Sequence, residues 1–256
     1  MKRLLVGLSA ASLMLGGLAV AVSAKPVTLT GGNLVLRLDG KITPKALSRT
    51  KPTPITFRLS ADVRAKDGGH PPAARIFDAE IDRNGALDPE GLPVCRRRQL
   101  VAQTTAGAKR SCRAALVGQG FAAAEIEFPE QPAFEARGPL LIFNGGAKGR
   151  ETVLLAHVYA NVPAPTAFVT PVKVTEINRG KYGLRVYAKI PVIAGGSGSM
   201  TMLQLTNRKI FTHKGKKRSY FLARCTTGHL FGRGKLSFSD GTRLLGTLSL
   251  PCTPKR

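Results

Sequence analysis

Three alternating carboxylates, Asp78, Glu80 and Asp82, stand in the run FDAEIDRNGALDPEGLPVC at 77–95, in a chain with 39 Lys and Arg against 15 Asp and Glu. On an extended strand, alternate residues share a face, which sets neighbouring carboxylates about 6 to 7 Å apart. Inverting glycoside hydrolysis uses separations of about 6.5 to 9.5 Å and retaining hydrolysis about 5 to 5.5 Å, so the row has the dimensions of an acid and base pair. That chemistry also needs the two pKa values driven apart and aromatic surface for the sugar. The chain has no Trp and four Tyr. An envelope polysaccharide hydrolase built on this strand is therefore the alternative reading.

The same run has the donors of a calcium loop. With Gly85 at the sixth position, Glu80, Asp82 and Asn84 fall at the first, third and fifth and Asp88 at the ninth, but the twelfth position is Gly91 where a bidentate Glu belongs. A looser calcium site made of Asp78, Asp82, Asn84 and Asp88 would give a calcium-stabilised structural protein; no other cofactor is expected. Six cations close by in sequence, Arg96, Arg97, Arg98, Lys109, Arg110 and Arg113, are the natural counter-ions of the acidic strand.

Nucleophilic and phosphate-binding motifs are not formed. GGSGS at 195–199 has Ser199 two residues after Ser197, where a nucleophile elbow needs Gly. Gly215 and Lys216 are followed by Lys217, where a phosphate loop needs Ser or Thr. His70 precedes two prolines in KDGGHPP at 66–72 and is expected to be exposed, with no catalytic partner in sequence reach. The four histidines are isolated from one another, and no CxxC occurs.

The cations form the stronger pattern. HKGKKRSY at 213–220 puts Lys214, Lys216, Lys217 and Arg218 at the tip of an expected hairpin, with Arg208 and Lys209 leading in and Arg224 leading out. Lys181, Arg185 and Lys189 alternate with apolar residues on a neighbouring strand, so they face outward together with Tyr187. From residue 177 onward there are 16 Lys and Arg and the single acid Asp240, a net +15, against +7 for residues 25–176. Such a face suits polyanions held through backbone charge in a salt-dependent way. Lysines at a hairpin tip also keep strand edges from aggregating.

These side chains need strands to carry them. From residue 27 onward the hydrophobic period is two, with short apolar runs cut by Gly, Pro, Asn and Asp, which is the pattern of an all-β protein. Strands are expected at 33–38, 55–63, 75–82, 116–128, 140–143, 152–159, 168–177, 182–190, 202–211, 219–225, 236–239 and 243–250. Asn144 with Gly145 and Asp240 with Gly241 mark turns. The proline-rich 41–54 is excluded from a central strand, and one short helix fits 104–115. Residues 25–161 and 167–256 read as two antiparallel β-sandwich-like segments able to share one core, joined by a linker at 162–166, VPAPT.

Residues 1–24 have two basic residues, an apolar run and a small-x-small ending at Ala24, the form of a cleaved export signal. Four cysteines in an exported chain read as two disulfides. Pairing Cys95 with Cys112 and Cys225 with Cys252 is preferred, because each pair brackets a compact segment; each bond would stabilise by about 3 kcal/mol.

Several motifs together, GLPVC at 91–95, ALVGQG at 115–120, GPLLIFNG at 138–145, KIPVIAGGSGS at 189–199, FSDGT at 238–242 and the terminal PCTP, resemble a group of exported β-rich bacterial proteins with two cysteine pairs and no assigned activity. The resemblance spans about residues 54–254 and implies export, β structure and disulfides. The expected protein is monomeric or weakly associated, non-catalytic, and placed in the cell envelope or outside the cell. Its expected partners are teichoic acid, acidic polysaccharide or lipid headgroups, met through the basic C-terminal face.

Overall fold

A computed structural model describes residues 25–255, and the export signal read at 1–24 lies outside them. β1 (Val27–Gly31) and β2 (Leu34–Thr43) form a hairpin about Gly32, whose φ of +53° suits the tight turn. Leu34, Leu36 and Ile42 are buried along β2, as the period of two predicts. Of the proline-rich 41–54, expected to stay out of a central strand, residues 41–43 instead continue β2 against β5, and the rest yields only β3 (Ala46–Ser48) and β4 (Thr53–Pro54), both outside the main sheet. β5 (Thr56–Ala65) pairs with β2, and the acidic strand is β6 (Ala74–Asp82), followed by β7 (Gly85–Leu87).

The single α-helix among the described residues, α1 (Thr105–Cys112), continues as a 3₁₀ turn to Ala115. Its N-terminus is capped by the Thr104 hydroxyl, which accepts from the Gly107 N–H at 3.1 Å. Cys112 is bonded to Cys95 and Cys225 to Cys252, the preferred pairing.

Next come β8 (Leu116–Ile126), β9 (Phe134–Lys148), β10 (Glu151–Ala160), β11 (Thr166–Arg179), β12 (Tyr182–Lys189) and β13 (Gly198–Asn207). The chain ends with β14 (Ile210–His213), β15 (Lys216–Ser219), β16 (Phe221–Ala223), β17 (His229–Phe238), β18 (Arg243–Pro251) and β19 (Thr253–Lys255).

Two expected features come out differently. Asn144 and Gly145 do not turn the chain; they lie inside β9, and the turn comes at Gly149. Asn144 is fully buried, its amide donating to the Pro93 carbonyl at 3.1 Å and accepting from the Tyr220 hydroxyl at 3.2 Å. The left-handed conformation falls instead on Gly146, beside a register shift against β10. The strands on either side of the lysine hairpin do not pair with each other: β13 pairs with β5 and β8, and β16 pairs with β4 and β7. Tyr220 is fully buried in the interior, and this turns the chain away after β15.

One antiparallel sheet carries twelve strands in the order β1-β2-β5-β13-β8-β9-β10-β11-β12-β6-β17-β18. Strands from the two expected segments are interleaved, β13 lying between β5 and β8 and β6 between β12 and β17. Residues 162–166 connect β10 and β11, which are neighbours in this sheet. The sheet curls until its ends meet through side chains. A Cβ on Gly246 of β18 would stand 2.3 Å from Leu29 Cδ1 of β1, so a larger residue there would have to push the Leu29 side chain aside.

The curled sheet encloses Val117, Leu140, Ile142, Leu154, Val174, Tyr220 and Phe221. Leu141, Phe143 and Leu155 point the other way, under the helix and the Cys95–Cys112 bond. β9 is thus buried on both faces, which accounts for its unbroken LLIF run.

Candidate functional site

The acidic strand lies between two basic ones. Register places Tyr187 of β12 and Lys235 of β17 either side of Asp78, and Arg185 and Arg233 either side of Glu80. Asp78 accepts both prongs of Arg185, Nε at 2.9 Å and Nη2 at 2.8 Å. Arg185 in this way holds the Asp78 carboxyl below its ordinary pKa. Glu80 accepts from Arg179 Nη1 at 3.0 Å and from Arg233 Nε at 2.7 Å. Asp82 is buried without a cation: one oxygen accepts from the backbone and side-chain nitrogens of Asn84, both at 2.9 Å, and the other from the Phe231 N–H at 3.1 Å.

Aromatic rings complete this face. The Arg233 guanidinium stands 4.5 Å from the Tyr182 ring centre, and Lys181 Nζ 4.2 Å from that of Phe231. Strict alternation along β12 would put Tyr182 inward with Leu184. A register shift at Gly183 instead brings it opposite Asp82, beneath Arg233 and Lys181.

The counter-ions therefore differ from those expected. Arg96, Arg97, Arg98, Lys109, Arg110 and Arg113 are near the acidic strand in sequence, but β12 and β17 are its partners in the sheet, so Arg185 of β12 and Arg233 of β17 neutralise it, together with Arg179 from the end of β11. The looser calcium set is not assembled either. Asp78 is taken by Arg185, Asp82 and Asn84 bond each other, and Asp88 accepts Arg218 Nε and Nη2, each at 2.8 Å. Every carboxylate of the row already has strong donors, Arg185 on Asp78, Arg179 and Arg233 on Glu80, and Asn84 and the Phe231 N–H on Asp82.

The ten predicted basic residues divide into groups. Arg185 and Lys181 belong to the acid-lined face. Arg218 roots the hairpin of β14 and β15 on the loop that follows β7, bonding Asp88 and, through Nη1 at 2.9 Å, Glu90. Lys209 is half-buried, and burial lowers its ammonium pKa. Arg224 donates its backbone N–H to the Asn84 carbonyl at 2.9 Å. Lys189 and Arg208 are exposed at strand ends, and Lys214, Lys216 and Lys217 are exposed at the hairpin tip.

One constellation has no sequence signal. Ser199 Oγ lies 3.1 Å from His70 Nε2, and His70 Nδ1 lies 2.9 Å from Glu125 Oε1. His70 is part-buried with two partners, contrary to the expectation of an exposed side chain. The order is that of nucleophile, base and orienting acid, but the proton count opposes that role. The Ser199 hydroxyl has one hydrogen; directed to the Pro71 carbonyl, it leaves Oγ to accept from His70, in the ring state that carries a proton on Nε2. A general base needs that nitrogen bare. Ser199 is also 1% exposed, and moving Pro71 aside would carry off His70, its neighbour in the chain. The row fastens the loop at 66–72 to β8 and β13. Its members are 55 and 129 residues apart, beyond any local pattern.

No family model, curated protein or solved structure matches the chain.

Proposed function

We propose that the protein is an exported, non-catalytic binder of anionic polymers, acting in the cell envelope or outside the cell through the lysines of the β14–β15 hairpin. Teichoic acid, acidic polysaccharide and anionic lipid headgroups share the repeating phosphate or carboxylate that such a tip would meet. One observation carries the reading. Lys214, Lys216 and Lys217 are exposed and make no ion pair among the described residues, while Arg218 beneath them is committed to Asp88 and Glu90. The hairpin thus has an anchored root and an uncompensated tip.

Two further facts support it. The two disulfides, with no free cysteine among the described residues, suit an oxidising, extracytoplasmic setting. The net charge of +22 on residues 25–256, which is +24 less Lys2 and Arg3, gives long-range attraction to polyanions. No helix among the described residues is long and apolar enough to cross a membrane.

The test is elution from immobilised heparin and teichoic acid. A variant with Lys214, Lys216 and Lys217 changed to Gln should elute at clearly lower salt than wild type, because each neutralised contact reduces counterion release. Arg218 is left intact because it holds the hairpin in place. Equal elution of the two proteins would show that these lysines serve only to keep a strand edge soluble.

A further inference from the structure

The main sheet loses register twice at the same end of β12. Between β11 and β12, Glu176 pairs with Leu184 and Arg179 with Tyr182, so Ile177 and Asn178 stand against Gly183 alone. Between β12 and β6, Tyr182 pairs with Asp82 and Leu184 with Ile81, so on this side Gly183 is itself the extra residue. Bulges re-aim side chains and end pairing next to binding sites. Only glycine fits at this one, since a Cβ on Gly183 would lie 2.6 Å from Arg83 Cα.

The opened ladder borders a cleft of 310 Å³, at the lower end of the roughly 300 to 1,000 Å³ typical of small-molecule sites. Its floor is apolar, formed by Leu87, Val174 and Leu184 from the interior cluster. Its walls include two arginines. Arg83 is steadied by an Nη2 bond to Asn178 Oδ1 at 3.1 Å, and Arg150 lies at the β9–β10 turn, its carbonyl accepting the Glu176 N–H at 2.9 Å. Arg179, Arg185, Arg218 and Arg233 are all paired with carboxylates. By contrast no carboxylate among the described residues, Glu176 included, comes within the 4.0 Å ion-pair distance of Arg83 or Arg150.

We propose that this cleft binds a small amphipathic carboxylate, its apolar chain on Leu87, Val174 and Leu184 and its carboxylate held by Arg83 and Arg150. The guanidinium fork matches a carboxylate in shape and charge. A free fatty acid and an apolar amino acid share this chemistry. Glu176 on the same wall would favour the ammonium of the second.

The test is calorimetric titration of the full protein with octanoate, octanol, octylamine and leucine. Octanoate or leucine should bind, octanol and octylamine much more weakly, and Arg83→Ala and Arg150→Ala should each weaken the carboxylate about tenfold or more. Preference for octanoate or for leucine identifies the source. The Arg150 side chain has no partner of its own among the described residues, so that variant stays informative if Arg83→Ala disturbs Asn178. The proposal is overturned if neither carboxylate binds in the millimolar range, if octanol binds as well as octanoate, or if both arginine variants bind like wild type. The site does not depend on the hairpin reading, so the Lys214, Lys216 and Lys217 variant should keep its affinity for the carboxylate.

Discussion

Arg185 grips Asp78 by two parallel bonds of 2.9 and 2.8 Å, and the two residues are 107 apart in sequence. The pair shows how the charge imbalance of the chain is resolved. Asp240 is the sole acid beyond Glu176, so Arg179, Arg185, Arg218 and Arg233 all find their carboxylates in the first half, on β6 or in the loop after β7.

The exchange Asp78→Asn should lower stability by about 1 kcal/mol, as expected for a part-exposed bidentate pair. A double-mutant cycle with Arg185→Gln should give a coupling below about 1 kcal/mol, since the arginine side chain is 41% exposed. The folded carboxyl titrates below its ordinary value of 3.8. Its contribution is thus complete above about pH 4 and is lost as pH falls through the folded pKa. Denaturant melts of wild type and Asp78→Asn should converge in strong acid, and a gap that persists there would count against the ion pair.

His157 sets a second acid limit, nearer neutrality. It is fully buried on β10, its Nε2 donating to the Gln103 carbonyl at 2.9 Å, and burial lowers its pKa from 6.5. The unfolded chain takes up the proton first, so stability from this group is full above about pH 6.5 and declines as pH drops below it. Scanning calorimetry from pH 7 to 5 should show Tm falling in wild type and falling less in His157→Gln. Parallel curves would refute the assignment.

Ser199→Ala removes a buried hydroxyl from between Pro71 and His70 and leaves the Pro71 carbonyl unpaired. It should cost about 1 to 3 kcal/mol. The same residue should resist a serine-directed fluorophosphonate, because its oxygen is enclosed and its proton already given away. Stoichiometric labelling at Ser199 would reverse this reading and restore a catalytic one.

Local patterns in the chain disclosed those features that depend on few neighbours. The period of two in 33–38 placed Leu34 and Leu36 in the core because one face of β2 is buried and the other wet. The short alanine-rich run at 104–115 marked α1, because helix propensity is a property of the residues themselves. The two cysteine pairs each bracket one compact segment, which made their partners readable. Partners set by strand order were not readable. Arg179 and Arg233 reach Glu80 only because β6 is inserted between late strands, and Tyr182 joins the charged face only because Gly183 shifts the register. Asn144 and Gly145 carry a turn signature that burial and the Tyr220 bond override. His70, Glu125 and Ser199 meet where a loop crosses two strands, and no spacing in sequence foretells that.

The place of β6 between β12 and β17 also has a bearing on how the chain reaches its native state. A strand finished at Asp82 must wait until Tyr182 has emerged before it can pair on one side, and until His229 on the other. Contacts this distant in sequence are slow to form. In the interval Asp78, Glu80 and Asp82 form an unshielded row of negative charge, and the strands that eventually flank it bring Arg185, Arg233 and Lys235. Mutual attraction draws these latecomers toward the gap that awaits them. A one-residue slip would turn Arg185 away from the carboxylates and Val186 out to solvent. The opposite charges of β6 and of the strands that come to flank it thus act as an address label for non-local assembly, favouring both the neighbour and the alignment of strands made a hundred residues apart.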